Sequence, residues 1–348
     1  MPALDAQKMT ERLRAFVAAH TELPEAAVQI SDLRRLAGGS SRETWSLDVE
    51  FDRAGRGVGP GRLELVMRRD PPGRVGDGDR GLEFRVVRAA HSCGVPAPRV
   101  HWCCTDLDVI GTPFYLMDRL PGEALPRRLL REDRYAKTRD RMTAQLAEIA
   151  VQIHRVPLDH EDLVGLPRLR PGASPAQVEL DRVAAAVPEL AAEPHPALVL
   201  AERWLQARLP EAHRTTLVHG DYRVGNVLFD EEGVTSVLDW ELCKIGDPVE
   251  DLGWLCTHAW RFGSDKPVGG IGSREELLAA YAAAGGGEVD PAHLLFWEAL
   301  GSFKVALVFI QQSWVYRSGA VPSLELASLG RRTAEAEQEL VRLMEESP

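Results

Sequence analysis

Asp221, Asn226 and Asp239 place three oxygen-bearing side chains in two neighbouring stretches. These are Leu217-Val218-His219-Gly220-Asp221-Tyr222-Arg223-Val224-Gly225-Asn226 and Val237-Leu238-Asp239-Trp240-Glu241. Moving a phosphoryl group onto a hydroxyl needs a carboxylate to accept or orient the hydroxyl proton, and oxygen ligands for the divalent metal that neutralises the phosphates. Asp221 suits the first task, and Asn226 and Asp239 suit the second. Local patterning indicates how the chain would present them. Thr216-Leu217-Val218 and Asn226 to Phe229 read as short strands, Asp230-Glu231-Glu232-Gly233 as a polar turn, and Val234 to Leu238 as a returning strand. Such a hairpin predicts that Asn226 at its start and Asp239 at its end come close together.

Four residues separate Asp221 from Asn226, the spacing of the protein-kinase catalytic loop. Further motifs follow in order: Gly246-Asp247-Pro248 with Asp251-Leu252 downstream, and Gly38-Gly39-Ser40-Ser41-Arg42-Glu43-Thr44-Trp45, Val66-Met67-Arg68-Arg69 with Pro71-Pro72-Gly73, and Val95-Pro96-Ala97-Pro98 upstream. Together they resemble the aminoglycoside phosphotransferase and choline kinase-like family, closest in look to the phosphotransferase-like domain found with acyl-CoA dehydrogenases. The resemblance implies an α+β, protein-kinase-like fold of two lobes. The small lobe, residues 1–118, would hold an antiparallel sheet plus a helix and bind nucleotide. The large lobe, residues 119–348, would be mainly helical and carry catalysis and acceptor binding.

The same resemblance implies a phosphotransferase that uses Mg2+ and ATP, with GTP as the alternative donor, and a hydroxyl of a small molecule as acceptor. A hydroxyacyl-CoA-type acceptor is a second reading, and a nucleotide-binding protein without transfer activity a third. Gly38, Gly39, Ser40 and Ser41 would approach the phosphates through their backbone, and Met117, Asp118 and Leu120 would form the hinge that hydrogen-bonds the base. Asp251 would hold the backbone around His219 and Asp221, and the helices from about Ala176 to Leu209 and after Arg274 would wall the acceptor site.

One departure stands out. The chain has five lysines and none between Lys8 and Lys137, so the third strand carries no lysine for the phosphates. Arg68 is the positional substitute, with Arg69 the weaker candidate; a guanidinium can grip phosphate through two donors but has a different reach. Glu83, near the start of a helix read from Gly81 to Ser92, is expected to pair with Arg68.

Composition narrows the remaining choices. A net charge of -11 argues against nucleic-acid and anionic-membrane partners. Residues 1–20 mix charges among the apolar positions and lack a signal pattern. The apolar stretch Leu294 to Trp314 contains Glu298 and Lys304 and reads as a buried helix, so a cytoplasmic protein is expected. Five cysteines without regular spacing suggest no disulfide framework, and adjacent Cys103 and Cys104 read as core. The absence of Gly-x4-Gly-Lys-Ser/Thr removes the P-loop kinases. Trp45, Leu47, Val49 and Phe51 alternate with polar residues, predicting a strand with one buried face. Asp247, Pro248 and Glu250 read as a capping-box helix start, and His154 as a packed histidine.

Overall fold

The computed structural model describes residues 5–36, 42–71, 79–190, 193–212 and 214–346. The chain forms two compact units. One comprises Met1–Pro121 with Asp159–Gly165 and Ser236–Glu241; the other comprises Gly122–Leu158, Leu166–Thr235 and Leu242–Pro348. The expected boundary after residue 118 thus lies three residues later, and two distant segments belong to the first unit. Local pairing accounts for both. Arg119 donates to Ser46 and Asp48, Asp162 pairs with Arg88, and the Val237 N–H donates to the Pro96 carbonyl.

In the N-terminal unit a helix α1 (Ala6–Thr21) precedes strands β1 (Val28–Arg35), β2 (Glu43–Phe51) and β3 (Gly61–Arg69). Helix α2 (Arg80–Ser92), strand β4 (Val100–Cys104), the single-turn α3 (Leu107–Ile110) and β5 (Phe114–Asp118) follow. The sheet is antiparallel with strand order β1-β2-β3-β5-β4. Period-two alternation sends Leu47, Val49, Leu65 and Met67 to one face, where Leu13 and Phe16 of α1 cover them. The middle of the opposite face of β2 is also buried, contrary to the single buried face that alternation predicts, while Glu50 near its end is exposed. Ser46 and Asp48 are withdrawn from solvent because Arg119 spans them, at 2.5 Å from Ser46 Oγ and 2.9 Å from Asp48 Oδ1. A polar residue buried by a partner distant in sequence leaves no periodic trace.

The C-terminal unit is mainly helical: α4 (Pro126–Arg131), α5 (Ala136–His154), α6 (Pro175–Leu190) and α7 (Pro196–Gln206) come first. Two small two-stranded sheets follow. β6 (Thr216–Val218) pairs antiparallel with β9 (Lys244–Gly246), and β7 (Val227–Phe229) pairs with β8 (Val234–Val237), so the predicted hairpin forms. Asn226 itself closes a 3-10 turn, Val224–Asn226, rather than opening the strand. Helices α8 (Val249–Cys256), α9 (Arg274–Ala283), α10 (Pro291–Arg317), α11 (Leu324–Arg331) and α12 (Thr333–Glu346) complete the unit.

Helix α10 is the central rod. By length and composition it could cross a membrane, yet 78% of its most apolar window is buried, with α6, α7, α8, α11 and α12 packed against it. A helix surrounded by others is apolar on all sides. Its buried charges are paired: Glu298 with Arg261 and Arg274, and Lys304 with Glu179 and Glu250.

Helix α8 can approach this rod closely because Gly253 faces it. A methyl group there would stand 2.7 Å from the Trp297 carbonyl carbon and 2.8 Å from the Glu298 nitrogen. Backbone atoms of a packed helix cannot step aside cheaply. Gly253→Ala is therefore expected to cost about 3 kcal/mol through overpacking, read as a lowered urea midpoint with an unchanged slope.

Candidate active site

The loop from β6 to β7 is fixed from beneath by one carboxylate. Asp251, on the first turn of α8, is fully buried and accepts the His219 N–H at Oδ2 and the Gly220 N–H at Oδ1, both at 2.9 Å. Its Oδ2 also meets His154 Nε2 at 3.1 Å, and His154 Nδ1 reaches the Tyr281 hydroxyl at 2.9 Å. Burial pushes the Asp251 carboxyl up, but the imidazoles of His154 and His219 and the backbone N–H outweigh it and hold it below its ordinary value. Gly220 turns with φ +80°, and a side chain there would collide with the Leu242 carbonyl. His219 Nδ1 accepts the Asp221 N–H at 3.2 Å, and Tyr222 anchors its hydroxyl on the Leu146 carbonyl at 2.8 Å. The expected role of Asp251 is thus seen at His219 and Gly220, with Asp221 held one step further on, through His219.

The capping box expected at Asp247 does not form. Asp247 Oδ1 accepts from the Val249 N–H at 2.9 Å, but Glu250 turns away to Lys244 and Lys304, at 2.8 and 3.0 Å. Two half-buried ammonium groups attract its carboxylate more strongly than a single amide does. Asp247 Oδ2 is taken by His293 and Trp297, so this residue fastens α8 to α10.

Three donors converge on the Asp221 carboxylate. Asn226 Nδ2 lies 2.5 Å from Oδ2, while Trp254 Nε1 and Arg223 Nε lie 2.7 and 3.0 Å from Oδ1. Asn226 also donates to the Asp221 carbonyl at 2.9 Å, so its amide nitrogen is committed to the loop. Its Oδ1 accepts nothing from the described residues, which suits a hard cation. Trp254 and Arg223 were not singled out from sequence. Trp254 does carry a signal, since it stands three residues after Asp251 and so shares its helical face.

In the N-terminal unit, Asp239 follows β8 in a left-handed conformation, φ +66°, that few non-glycine residues adopt. Its Oδ1 receives Arg68 Nη2 at 2.7 Å. The expected pair of Arg68 with Glu83 is the looser one, Nε to Oε1 at 3.5 Å without hydrogen-bond geometry. Glu83 is instead held by the Tyr115 hydroxyl at 2.9 Å and by Arg80. Burial would lower the Arg68 pKa, but Tyr115, Glu83 and Asp239 reverse that and hold it above the ordinary range. Arg69 points to the other face, bonded to Glu43 and stacked on Trp45, which makes it structural. Arg42 reaches Glu241 at 3.0 Å and Asp70 at 3.3 Å. Burial and the charge on Asp239 push the Glu241 carboxyl up, with Arg42 opposing.

At the expected hinge, Met117 lies in β5, opposite Val66 and Val100. The Asp118 N–H is spent on the Arg99 carbonyl at 2.9 Å and the Arg119 N–H on the Glu64 carbonyl at 2.8 Å. Leu120 is the next residue, and its N–H has no hydrogen-bond partner among the described residues. Gly38, Gly39, Ser40 and Ser41 lie outside the described residues. Among those described, no cluster of three or more His, Cys, Asp or Glu could hold a metal.

Fold and loop together define a kinase-type phosphotransferase, and comparison with known proteins agrees. The family model described as "Phosphotransferase enzyme family" matches residues 32–297, and the chain belongs to that family. Mouse acyl-CoA dehydrogenase family member 10 is 35% identical over 202 residues, covering 56% of this chain and 18% of that protein. Human acyl-CoA dehydrogenase family member 11 is 29% identical over 293 residues, covering 78% and 37%. The chain thus spans well under half the length of these relatives.

Among solved structures, a candidate aminoglycoside phosphotransferase of Ralstonia eutropha matches with TM-score 0.74 at 26% identity, covering 97% of this chain and 98% of that one. A choline/ethanolamine kinase family protein of Mesorhizobium loti gives 0.61 at 21%, with the same coverage. The aminoglycoside phosphotransferase APH(4)-Ia, crystallised with ADP and hygromycin B, gives 0.62 at 16%, covering 96% and 98%. The last two bear on the fold alone.

Removing the Asp251 carboxylate leaves two buried N–H groups and His154 without their acceptor. Asp251→Ala should cost about 3–5 kcal/mol at neutral pH. Because the folded carboxyl titrates below its unfolded value, its contribution is complete above roughly pH 4 and fades as the pH falls. The gap between native and variant unfolding midpoints should therefore narrow below pH 4, as chemical denaturation across pH would show.

Proposed function

We propose that the chain transfers the γ-phosphoryl group of ATP, with GTP the alternative donor, to a hydroxyl of a small molecule. The observation that carries this reading is the Asp221 carboxylate, fixed by three donors on a loop that also leaves Asn226 Oδ1 open. Asp221 takes or orients the acceptor's proton. Asn226 and Asp239 would hold the metal, and their oxygen donors fit Mg2+. Bound there, Mg2+ would neutralise charge on the phosphates.

Arg68 takes the place of the strand lysine. It already rests on Asp239, so phosphate oxygens and the Asp239 carboxylate compete for one guanidinium. Release of Arg68 toward phosphate frees that carboxylate for the metal. Arg68 and Asp239 thereby make metal and nucleotide binding mutually dependent.

The named relatives favour a second reading of the acceptor. The chain's likeness to acyl-CoA dehydrogenase family members supports a hydroxyacyl thioester, whereas its likeness to the Ralstonia eutropha protein supports an aminoglycoside. Retention of Asp221, Asn226 and Asp239 weighs against a binding protein without transfer activity.

Asp221→Asn is expected to lower ADP release in the presence of acceptor by about a thousandfold, while MgATP still raises the melting temperature as in the native protein. Asp239→Ala should abolish the magnesium-dependent part of that thermal shift. Full turnover by Asp221→Asn would end the assignment of the base, and a native protein indifferent to MgATP would end the phosphotransferase reading itself.

A further inference from the structure

Arg223 stands two residues after Asp221 and is built into the loop rather than left to wave. Its Nε donates to Asp221 Oδ1 at 3.0 Å, and its guanidinium carbon sits 4.5 Å from the centre of the Trp260 ring. Trp260 in turn lies against Trp254, ring centres 5.4 Å apart, and the Trp254 indole N–H holds the same Asp221 oxygen. Nη1 rests where a side chain on Gly225 would be, so the absent Cβ makes room for it. The guanidinium thus lies along the loop between the proposed base, Asp221, and the proposed metal ligand, Asn226.

Both Nη groups lack a partner among the described residues, and the side chain keeps 23% of its surface exposed. A guanidinium fixed by one edge and one face, with its remaining edge open, is a pre-aimed binder of oxyanions. Resting on the proposed base and metal ligand, we infer that Arg223 is a further catalytic residue, its Nη groups binding the phosphoryl group in transit, with Trp254 and Trp260 as positioning residues. In that step the acceptor oxygen bonds to phosphorus as the bond from phosphorus to the bridging oxygen breaks. The hydroxyl proton passes to Asp221, and the nucleoside diphosphate leaves with the electron pair. The phosphoryl oxygens gain their exposure to donors between the base and the metal ligand, where Arg223 lies. An arginine supplied within the same chain is an established way of stabilising such charge.

The test needs no knowledge of the acceptor. MgADP with aluminium fluoride mimics the phosphoryl group in flight, and its affinity is compared with that of MgADP alone by calorimetry. Arg223→Met, which keeps the apolar stem on Trp260, should lose about a hundredfold in affinity for the mimic and no more than about threefold for MgADP, a difference of about 2 kcal/mol or more. Arg223→Lys should recover part of it. Gly225→Ala pushes the guanidinium aside without removing its charge and should reproduce the selective loss.

Equal loss for both ligands would make Arg223 a structural residue and overturn the inference, as would an unchanged affinity for the mimic. A native protein that binds neither ligand would sink the underlying phosphotransferase reading, an outcome separate from the others.

Discussion

One buried carboxylate sets the shape on which the chemistry depends. Asp251 comes from α8, yet its two oxygens accept backbone N–H groups from the turn at His219 and Gly220. A turn this tight leaves adjacent amides pointing inward, where water cannot reach them, and an unsatisfied buried amide costs as much as a lost hydrogen bond. The carboxylate answers both at once, and His154 with Tyr281 compensates its own burial. Because Gly220 can adopt positive φ, the chain reverses directly above the helix and delivers Asp221 one residue later. Asp221 is therefore positioned by backbone, which is stiffer than a freely rotating side chain.

From that point the organisation is a contest among charges at short range. Asp221 gathers an amide, an indole and a guanidinium; Asp239 gathers a guanidinium from β3. Arg42 and Arg80 share Asp70 and Glu241 in the same unit. Each arginine is fixed against a carboxylate. Arginine suits this better than lysine, since a planar fork can keep one partner and accept another. The missing strand lysine thus belongs to a wider choice of guanidinium groups.

Much of the fold was legible because it rests on local period and turn chemistry. The alternation of Leu63, Leu65 and Met67, the helical stripe of α2 and the turn at Asp230 to Gly233 each depend on neighbours in sequence. The place of Asp221 and Asn226 on one loop, and of Asp251 on the helix that holds it, was legible through motif order. What stayed hidden depends on partners far along the chain. Ser46 and Asp48 are buried by Arg119, Glu250 is drawn from its cap by Lys244 and Lys304, and Arg68 favours Asp239 over Glu83. In each case a strong ion pair defeats a weaker local preference, and nothing in the local sequence announces the partner.

The ion pairs beneath α8 carry this logic to Asp221 itself. Glu179 of α6 and Glu250 of α8 both meet Lys304 of α10 and Lys244 of β9, at 2.6 to 3.0 Å. Burial pushes the Glu179 carboxyl up, but Lys304, Arg182 and Lys244 draw it far below its ordinary value. Four elements are thus tied at one buried point, where a lone charge would be costly. The Lys304 ammonium also lies 5.2 Å from the centre of the Trp254 ring, close enough for its charge to draw on the π face. That ring's other end holds Asp221. Lys304 of α10 is thus joined to Asp221 through a single indole. The helices expected to wall the acceptor and the residue expected to activate it are parts of one electrostatic frame.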